Sequence, residues 1–194
     1  MNQRRPETYQ ITDPEQLQAV ASPRRQDIVD RLAAYGPLSI RELAAHVGAR
    51  PTALYHHMTR LIAVGLVLEA GTRVWRRRRE QLYQTFSPRM RLSEAMLEPG
   101  NLAVMSDIVA AQTRQMARDF EAAQTSPARL TEGQGRNHTF YRLVGRPTPA
   151  QLARINACLI EIAEVLWHAN DEDAELIAFG CTMSPLDSGA SPKA

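Results

Sequence analysis

Two groups of side chains in this sequence have the types and spacing to meet a polyanion. The first is the run Arg73-Val74-Trp75-Arg76-Arg77-Arg78-Arg79, the densest positive charge in the chain. Guanidinium groups gathered in this way neutralise phosphates and release the counterions condensed on DNA, which gives affinity without regard to base sequence. The second group is Thr52, Tyr55, His56 and Arg60. Their spacing places hydroxyl, imidazole and guanidinium groups on a shared face of one helix. Donors and acceptors of this kind read base edges in the major groove. Arg50 and Pro51 stand where that helix begins, next to the backbone of a duplex it would enter.

Other chemistry finds little support. His56 and His57 are adjacent in sequence, so on a helix they point about 100° apart and do not chelate one ion. His46 lies ten residues before His56 and adds no ligand set, and His57 reads as a hydrogen-bonded packing residue. Glu164 and His168 are four apart, a spacing that can share a metal, but without a second pair they read as a surface hydrogen bond. Cys158 and Cys181 are far apart and each sits in an apolar stretch, which argues against a disulfide framework and against a soft-metal or redox switch. Gly133-Gln134-Gly135 lacks the strand–helix context of a phosphate cradle. There is no nucleophile elbow, P-loop or cysteine placed beside a base. No catalytic residue, metal or cofactor is expected, and the chain does not read as an enzyme.

The elements that must position the two groups are legible. Ser39 precedes Glu42 by three residues, the spacing of a capping box. Ile40, Leu43, Ala44 and Val47 follow at helical intervals, and Gly48 offers a corner that takes positive φ cheaply. A second helix starts at Pro51 and buries Leu54, Met58 and Leu61. Two short helices with a glycine corner make a helix-turn-helix. Asp13-Pro14 and Ser22-Pro23 cap two helices ahead of it, carrying Leu17 and Val20, then Ile28, Leu32 and Tyr35, to supply a core. Leu38 adds a short edge strand. After Gly65, Leu66-Val67-Leu68 and residues 81–86 read as the strands of a wing, with a turn at Ala70-Gly71-Thr72 and the arginine run between them.

The residues Leu38, Ser39, Glu42, Leu43, Ala44, Gly48, Leu54, Tyr55, His56, His57, Leu61, Gly65, Leu66 and Val67 fit the pattern LSxxELAxxLGxSxxxLYHHLxxLxxxGLV. On that pattern the stretch from Asp13 to Phe86 resembles the winged helix-turn-helix regulators of the ArsR-like group. Arg50 stands where those regulators have a capping serine, and the metal-binding cysteines of the founding metal sensors are absent. The resemblance implies a double-stranded DNA partner and the non-metal-sensing branch.

Charge divides the chain. Residues 1–91 carry 15 Arg against 8 Asp and Glu, a balance of +7, and residues 92–194 carry 8 Arg and Lys against 13 Asp and Glu, a balance of −5, which sum to the overall +2. Only the first half suits a polyanion. At 194 residues and 44% hydrophobic content the chain has material for one large or two small domains. No apolar run approaches the ~20 residues needed to span a bilayer, and residues 1–10 lack the apolar core of a signal peptide. A soluble cytoplasmic protein is expected.

The second half is expected to begin with helices broken at Pro99-Gly100, with Met105, Ile108, Val109, Gln112, Met116 and Phe120 on one face as core or dimer seam. Residues 125–135 read as a loop, and His138 to Val144 as a strand. Thr148 and Gln151 frame a capping box launching a helix with Leu152, Ile155, Leu159, Ile162 and Leu166, and residues 175–183 read as a buried strand. The Asp171-Glu172-Asp173 run reads as a solvated helix end. This order is loosely similar to the C-terminal region of some ArsR-like regulators.

The expected architecture is mainly α with small β: a flexible lead-in over 1–12, a winged helix-turn-helix DNA-binding domain over 13–88, an α+β dimerisation and effector domain over 89–186, and a disordered tail over 187–194. The expected function is a DNA-binding transcriptional regulator of repressor type, a homodimer through the region from Leu92 to Phe120. Met105, Met116, Phe120, Phe140, Tyr141 and Trp167, with His138 and Arg142, are the candidate lining for a small organic effector. Two other classes stand beside it. A winged helix used for protein contact would want a neutral or acidic surface where Arg60 and Arg76 to Arg79 stand, and an enzyme would want converging polar groups in the second half.

Overall fold

The computed structural model describes residues 5–171 and 173–186. The first four residues of the expected lead-in, Glu172 and the expected disordered tail 187–194 lie outside the described residues. Among the described residues no helix is long and apolar enough to cross a membrane.

Two helices open the domain. Asp13 caps α1 (Pro14–Val20), its carboxylate accepting the N–H groups of Glu15 at 2.9 Å and Gln16 at 3.0 Å. Ser22 stands at the N-cap of α2 (Pro23–Tyr35) in extended backbone, but its hydroxyl makes no capping bond, so that expected cap is backbone geometry alone. The capping box at α3 (Ile40–His46) is complete: Glu42 N–H donates to Ser39 Oγ, and Ser39 N–H donates to Glu42 Oε2 at 3.0 Å. The chain turns at Gly48 (φ 61°) into α4 (Pro51–Ala63) and leaves it at Gly65 (φ 74°). Both corners need the left-handed region, which glycine enters without a Cβ penalty.

The core gathers Leu17, Ile28, Leu32, Leu43, Leu54, Leu61 and Leu66, each 0–1% exposed. Full burial of such a side chain is worth about 1.5–3 kcal/mol, so these helices are held by packing rather than by propensity.

The wing differs from its expected form. Strand β3 (Val67–Trp75) pairs antiparallel with β4 (Arg78–Thr85), and the short β2 (Leu38–Ser39) joins on the far side of β4, in the order β2-β4-β3. The expected turn at Ala70-Gly71-Thr72 is instead a bulge. Glu69 faces Tyr83 and Thr72 faces Gln81, so Ala70 and Gly71 oppose Leu82 alone. The strands run on, and the chain reverses at Arg76 (φ 46°) and Arg77 (φ 67°). Two left-handed residues match the right-handed twist of a two-residue hairpin, so the turn closes on arginines where Asn-Gly is usual.

The lead-in is also corrected. Thr8–Gln10 is a strand, β1, paired in parallel with β5 (Arg89–Arg91), and Ile11 is 2% exposed. Tyr9 meets Phe86 edge-on at 4.9 Å, and its hydroxyl donates to Gln16 Oε1 at 2.9 Å. A parallel pair needs a long connection; here the whole helix-turn-helix and wing form it, so the pair clasps the two ends of the domain.

Residues 92–101 form two single 3₁₀ turns (Ala95–Leu97 and Pro99–Asn101) rather than the expected first helix. Then α5 (Leu102–Ala123) lies against α1 and α2, burying Val104, Ile108 and Ala111. The expected stripe is therefore rotated: Ile108 is in the shared core and Met105 packs against it, while Val109 and Phe120 are 41% and 38% exposed. The first part of α5 thus belongs to the core of the N-terminal domain. Beyond it, α6 (Pro149–His168) has its expected capping box from Thr148 and Gln151 but buries no residue. Neither 138–144 nor 175–183 is a strand, and Phe140, Leu143, Leu176, Ile177 and Phe179 are exposed. An apolar alternating stretch needs a neighbouring strand to satisfy its backbone, and none of the described strands pairs with them.

Candidate nucleic-acid interface

Helix α4 presents its far side to solvent. Turning ~100° per residue, it sets Leu54, Met58 and Leu61 inward, 0–2% exposed. Thr52, His56 and Thr59 lie opposite them, with Tyr55 and Arg60 on the flanks; all five are exposed, Tyr55 by 58%. Thr59 has no place among the expected contacts, although its helical spacing from Thr52 and His56 put it there. Its hydroxyl donates to the Tyr55 carbonyl at 2.9 Å, leaving the methyl and a lone pair outward. Arg60 Nη1 lies 3.3 Å from Glu15 Oε2, so this guanidinium has a partner on α1. Arg50 is the exposed N-cap of α4 without a side-chain capping bond, and Pro51 is exposed at the first turn.

His57 departs from its expected role. It is half-buried against His56 (ring centroids 3.7 Å apart), and among the described residues its buried Nδ1 has no hydrogen-bond partner. Burial, then the nearby His56, Arg25 and Arg24, hold its pKa below the usual histidine value, so the ring enters the neutral range uncharged.

At the wing, Arg76, Arg77, Arg78 and Arg79 are all exposed, and among the described residues none forms an ion pair. Arg79 donates to Thr72 Oγ1 at 3.1 Å. A left-handed non-glycine residue costs about 1–2 kcal/mol, and Arg76 and Arg77 both carry that cost at the tip. Strain held at an exposed tip is commonly functional. Replacing the pair as Arg76→Asn and Arg77→Gly is expected to raise the stability of the domain by about 1–2 kcal/mol while weakening its attraction for a polyanion. A thermal melt and a binding titration on the same variant check both signs.

Arg73 sits apart from the other arginines. Its guanidinium bonds Glu42 Oε1 and lies 3.5 Å from Glu80 Oε2. Placed among the phosphate contacts from sequence, it is bound to two carboxylates of its own domain. Arg41, absent from the expected site, grips Glu80 with Nε at 3.0 Å and Nη2 at 3.3 Å, and its Cζ lies 3.9 Å from the centre of the Trp75 ring. Arg76 covers the same indole at 4.5 Å. The Trp75 ring thus has two guanidinium neighbours, one from α3 and one from the hairpin turn. The signal for this cluster was the hairpin register: once the turn is placed at Arg76-Arg77, Arg73 and Glu80 fall opposite each other.

The expected effector lining comes together only in part. Met105 packs on the core, and Trp167 lies against Arg91 (4.2 Å) and Arg89 (5.7 Å). Phe120, His138 and Phe140 stack near one another, Phe120 to His138 at 4.2 Å, with Phe140 and Tyr141 exposed. His168 takes its place with Arg89 Nη2 at 2.9 Å and the Glu164 carbonyl at 2.8 Å. Both cysteines are exposed, although each sits in an apolar stretch of sequence, and among the described residues no cluster of His, Cys, Asp and Glu could hold a metal.

Comparison with known proteins bears on the first of these elements. A family described as "Helix-turn-helix domain" matches residues 20–70, the span from the end of α1 into β3. Among solved structures, the crystal structure of RV1404 from Mycobacterium tuberculosis is similar at 18% identity, covering 77% of this chain and 82% of that one, with a TM-score of 0.30. A score this low carries nothing over about fold. No curated protein matches the chain. The family match, the glycine corner and the exposed face of α4 coincide on one segment: residues 20–70 of this protein are a helix-turn-helix domain, which suggests a DNA-binding regulator.

Proposed function

We propose that this protein is a sequence-specific, DNA-binding transcriptional regulator of the ArsR-like, non-metal-sensing kind, working as a homodimer and without catalytic chemistry. The observation that carries the reading is a solvent-facing polar side of α4 beside a hairpin whose tip bears four arginines with no acidic partner among the described residues. Thr52, Tyr55 and His56 meet base edges, and Arg76 to Arg79 meet phosphates. Arg50 and Pro51 sit against the backbone. The repressor role rests on the resemblance alone.

Selection from a random DNA pool is the test, followed by alanine variants. Tyr55→Ala and His56→Ala are each expected to cost about 1–3 kcal/mol on the preferred site and to relax preference at one position. Arg60→Ala is expected to do less, because the guanidinium must exchange Glu15 for DNA. Unchanged preference in all three variants would overturn the assignment, and a pool with no enrichment would overturn DNA binding.

A second copy is the partner proposed for the second half. One helix-turn-helix makes few base contacts, and a two-fold pair reads two half-sites. Leu152, Ile155, Ile160 and Val165 of α6, with Val109 and Phe120 of α5, are 38–64% exposed, and apolar area of that kind is usually covered. Sedimentation is expected to show a dimer at micromolar concentration; a monomer with and without DNA would exclude it. The organic effector is not carried into this proposal, because of its candidate residues only Phe120, His138 and Phe140 are brought together.

A further inference from the structure

Beside the β2–β4 pairing, four charged residues tie the wing to the start of α3, and two of them are acidic on a face that should meet phosphate. Glu42 divides its two oxygens. Oε2 accepts from Ser39 N–H and Ser39 Oγ, both at 3.0 Å, completing the cap of α3, while Oε1 receives Arg73 of β3. Glu80 of β4 takes both ends of the Arg41 fork from α3, and Arg73 again on Oε2. Arg41 Cζ then lies 3.9 Å from the centre of the Trp75 ring, whose other guanidinium neighbour is Arg76 at the hairpin turn. A fork-to-carboxylate pair and a guanidinium–indole contact both fix direction as well as distance.

We propose that Arg41, Glu42, Arg73 and Glu80 are positioning residues: an ionic brace from the start of α3 that aims the arginine tip of the wing and itself touches no DNA. A hairpin joined to its domain only by its base is free to swing, and a tip that swings must be ordered again on each encounter with DNA. The brace removes that freedom beforehand. Isolated surface pairs contribute little to stability, so the effect falls on geometry and not on the melting point. Bonds from Arg41 to Glu80 hold that carboxyl below the usual glutamate range. At Glu42 burial works upward, and the bonds from Ser39 and Arg73 outweigh it. Both carboxylates are therefore charged, and the brace closed, at neutral pH; it opens only as pH falls through their lowered values.

The inference rests on the DNA-binding reading for its consequence, but the brace can be measured without DNA. In a Cys158→Ser, Cys181→Ser background, nitroxide labels at Ala63→Cys and Arg78→Cys report the distance from α4 to the wing. Glu80→Gln and, separately, Arg41→Gln are expected to broaden that distribution with the melting temperature unchanged. On a selected DNA site, Glu80→Gln is expected to keep the central footprint, lose protection at the flanks and flatten the salt slope by ~1–2. The double variant Arg41→Gln, Glu80→Gln should lose less than the sum of the two single losses, since both remove the bond between them. Unbroadened distances in both single variants overturn the brace, as does a flank footprint equal to wild type. A wild-type protein that selects no DNA sinks the functional reading instead, and the label distances then decide the brace alone.

Discussion

Alanine at both Arg77 and Arg78 is expected to weaken binding to every DNA sequence alike, roughly thirtyfold per protomer at physiological salt, and to flatten the salt slope by about two units. Among the described residues these two side chains have no acidic partner, and both are exposed at or beside the hairpin turn. Each phosphate they neutralise releases ~0.9 counterion, so the loss is set by charge and not by base sequence. The variant isolates this effect well. Alanine keeps the left-handed cost at position 77 as it was, and neither arginine belongs to the Arg41–Glu80 cluster. Titrations across a salt series on the selected site and on an unrelated duplex check it. A changed preference between the two duplexes, or an unchanged slope, would show that the tip does not act through phosphates.

The largest effect on stability is expected one residue away from an exposed side chain of α4. Leu54 is 0% exposed and Tyr55 is 58% exposed. Leu54→Ala removes a buried side chain from a cluster that includes Leu43, Leu61 and Leu66, and is expected to destabilise the domain by about 2–5 kcal/mol. That is a large share of the 5–15 kcal/mol typical of a domain. Tyr55→Ala is expected to stay within about 0.5 kcal/mol of the parent, as exposed substitutions do. Denaturant titrations of the two variants give the contrast directly. Equal stabilities would mean that α4 is turned otherwise about its axis, and the reading of its outer face would fall with it.

How much of this was legible beforehand depended on how local the cause was. The two halves of the helix-turn-helix could be placed from sequence, because capping boxes, proline starts and glycine corners are set by neighbours within four residues. Ser39 with Glu42, Gly48, Gly65 and the inward row Leu54, Met58 and Leu61 all stand as their spacing implied. The same holds for Thr148 and Gln151 at α6. The wing was found but its turn misplaced. Gly71 looked like a corner and proved to be a bulge, while two arginines, which carry no turn signal, took the left-handed positions.

What lay beyond reach was long-range pairing. Nothing near Thr8 announces that it will meet Arg89, nor near Arg41 that its fork will close on Glu80. The apolar periodicity of α5 showed that a face must be covered, but not that α1 and α2 of the same domain would cover its beginning. Residues 138–144 and 175–183 had the alternation of strands, and alternation makes a strand only where another strand is present to take its backbone bonds. By itself, then, the sequence determined the helix-turn-helix, its outward residues and the basic character of its wing, each the product of local chemistry. Tertiary structure alone decided which arginines are left for DNA and which are bound to Glu42 and Glu80, because that choice depends on carboxylates up to 39 residues away in the chain.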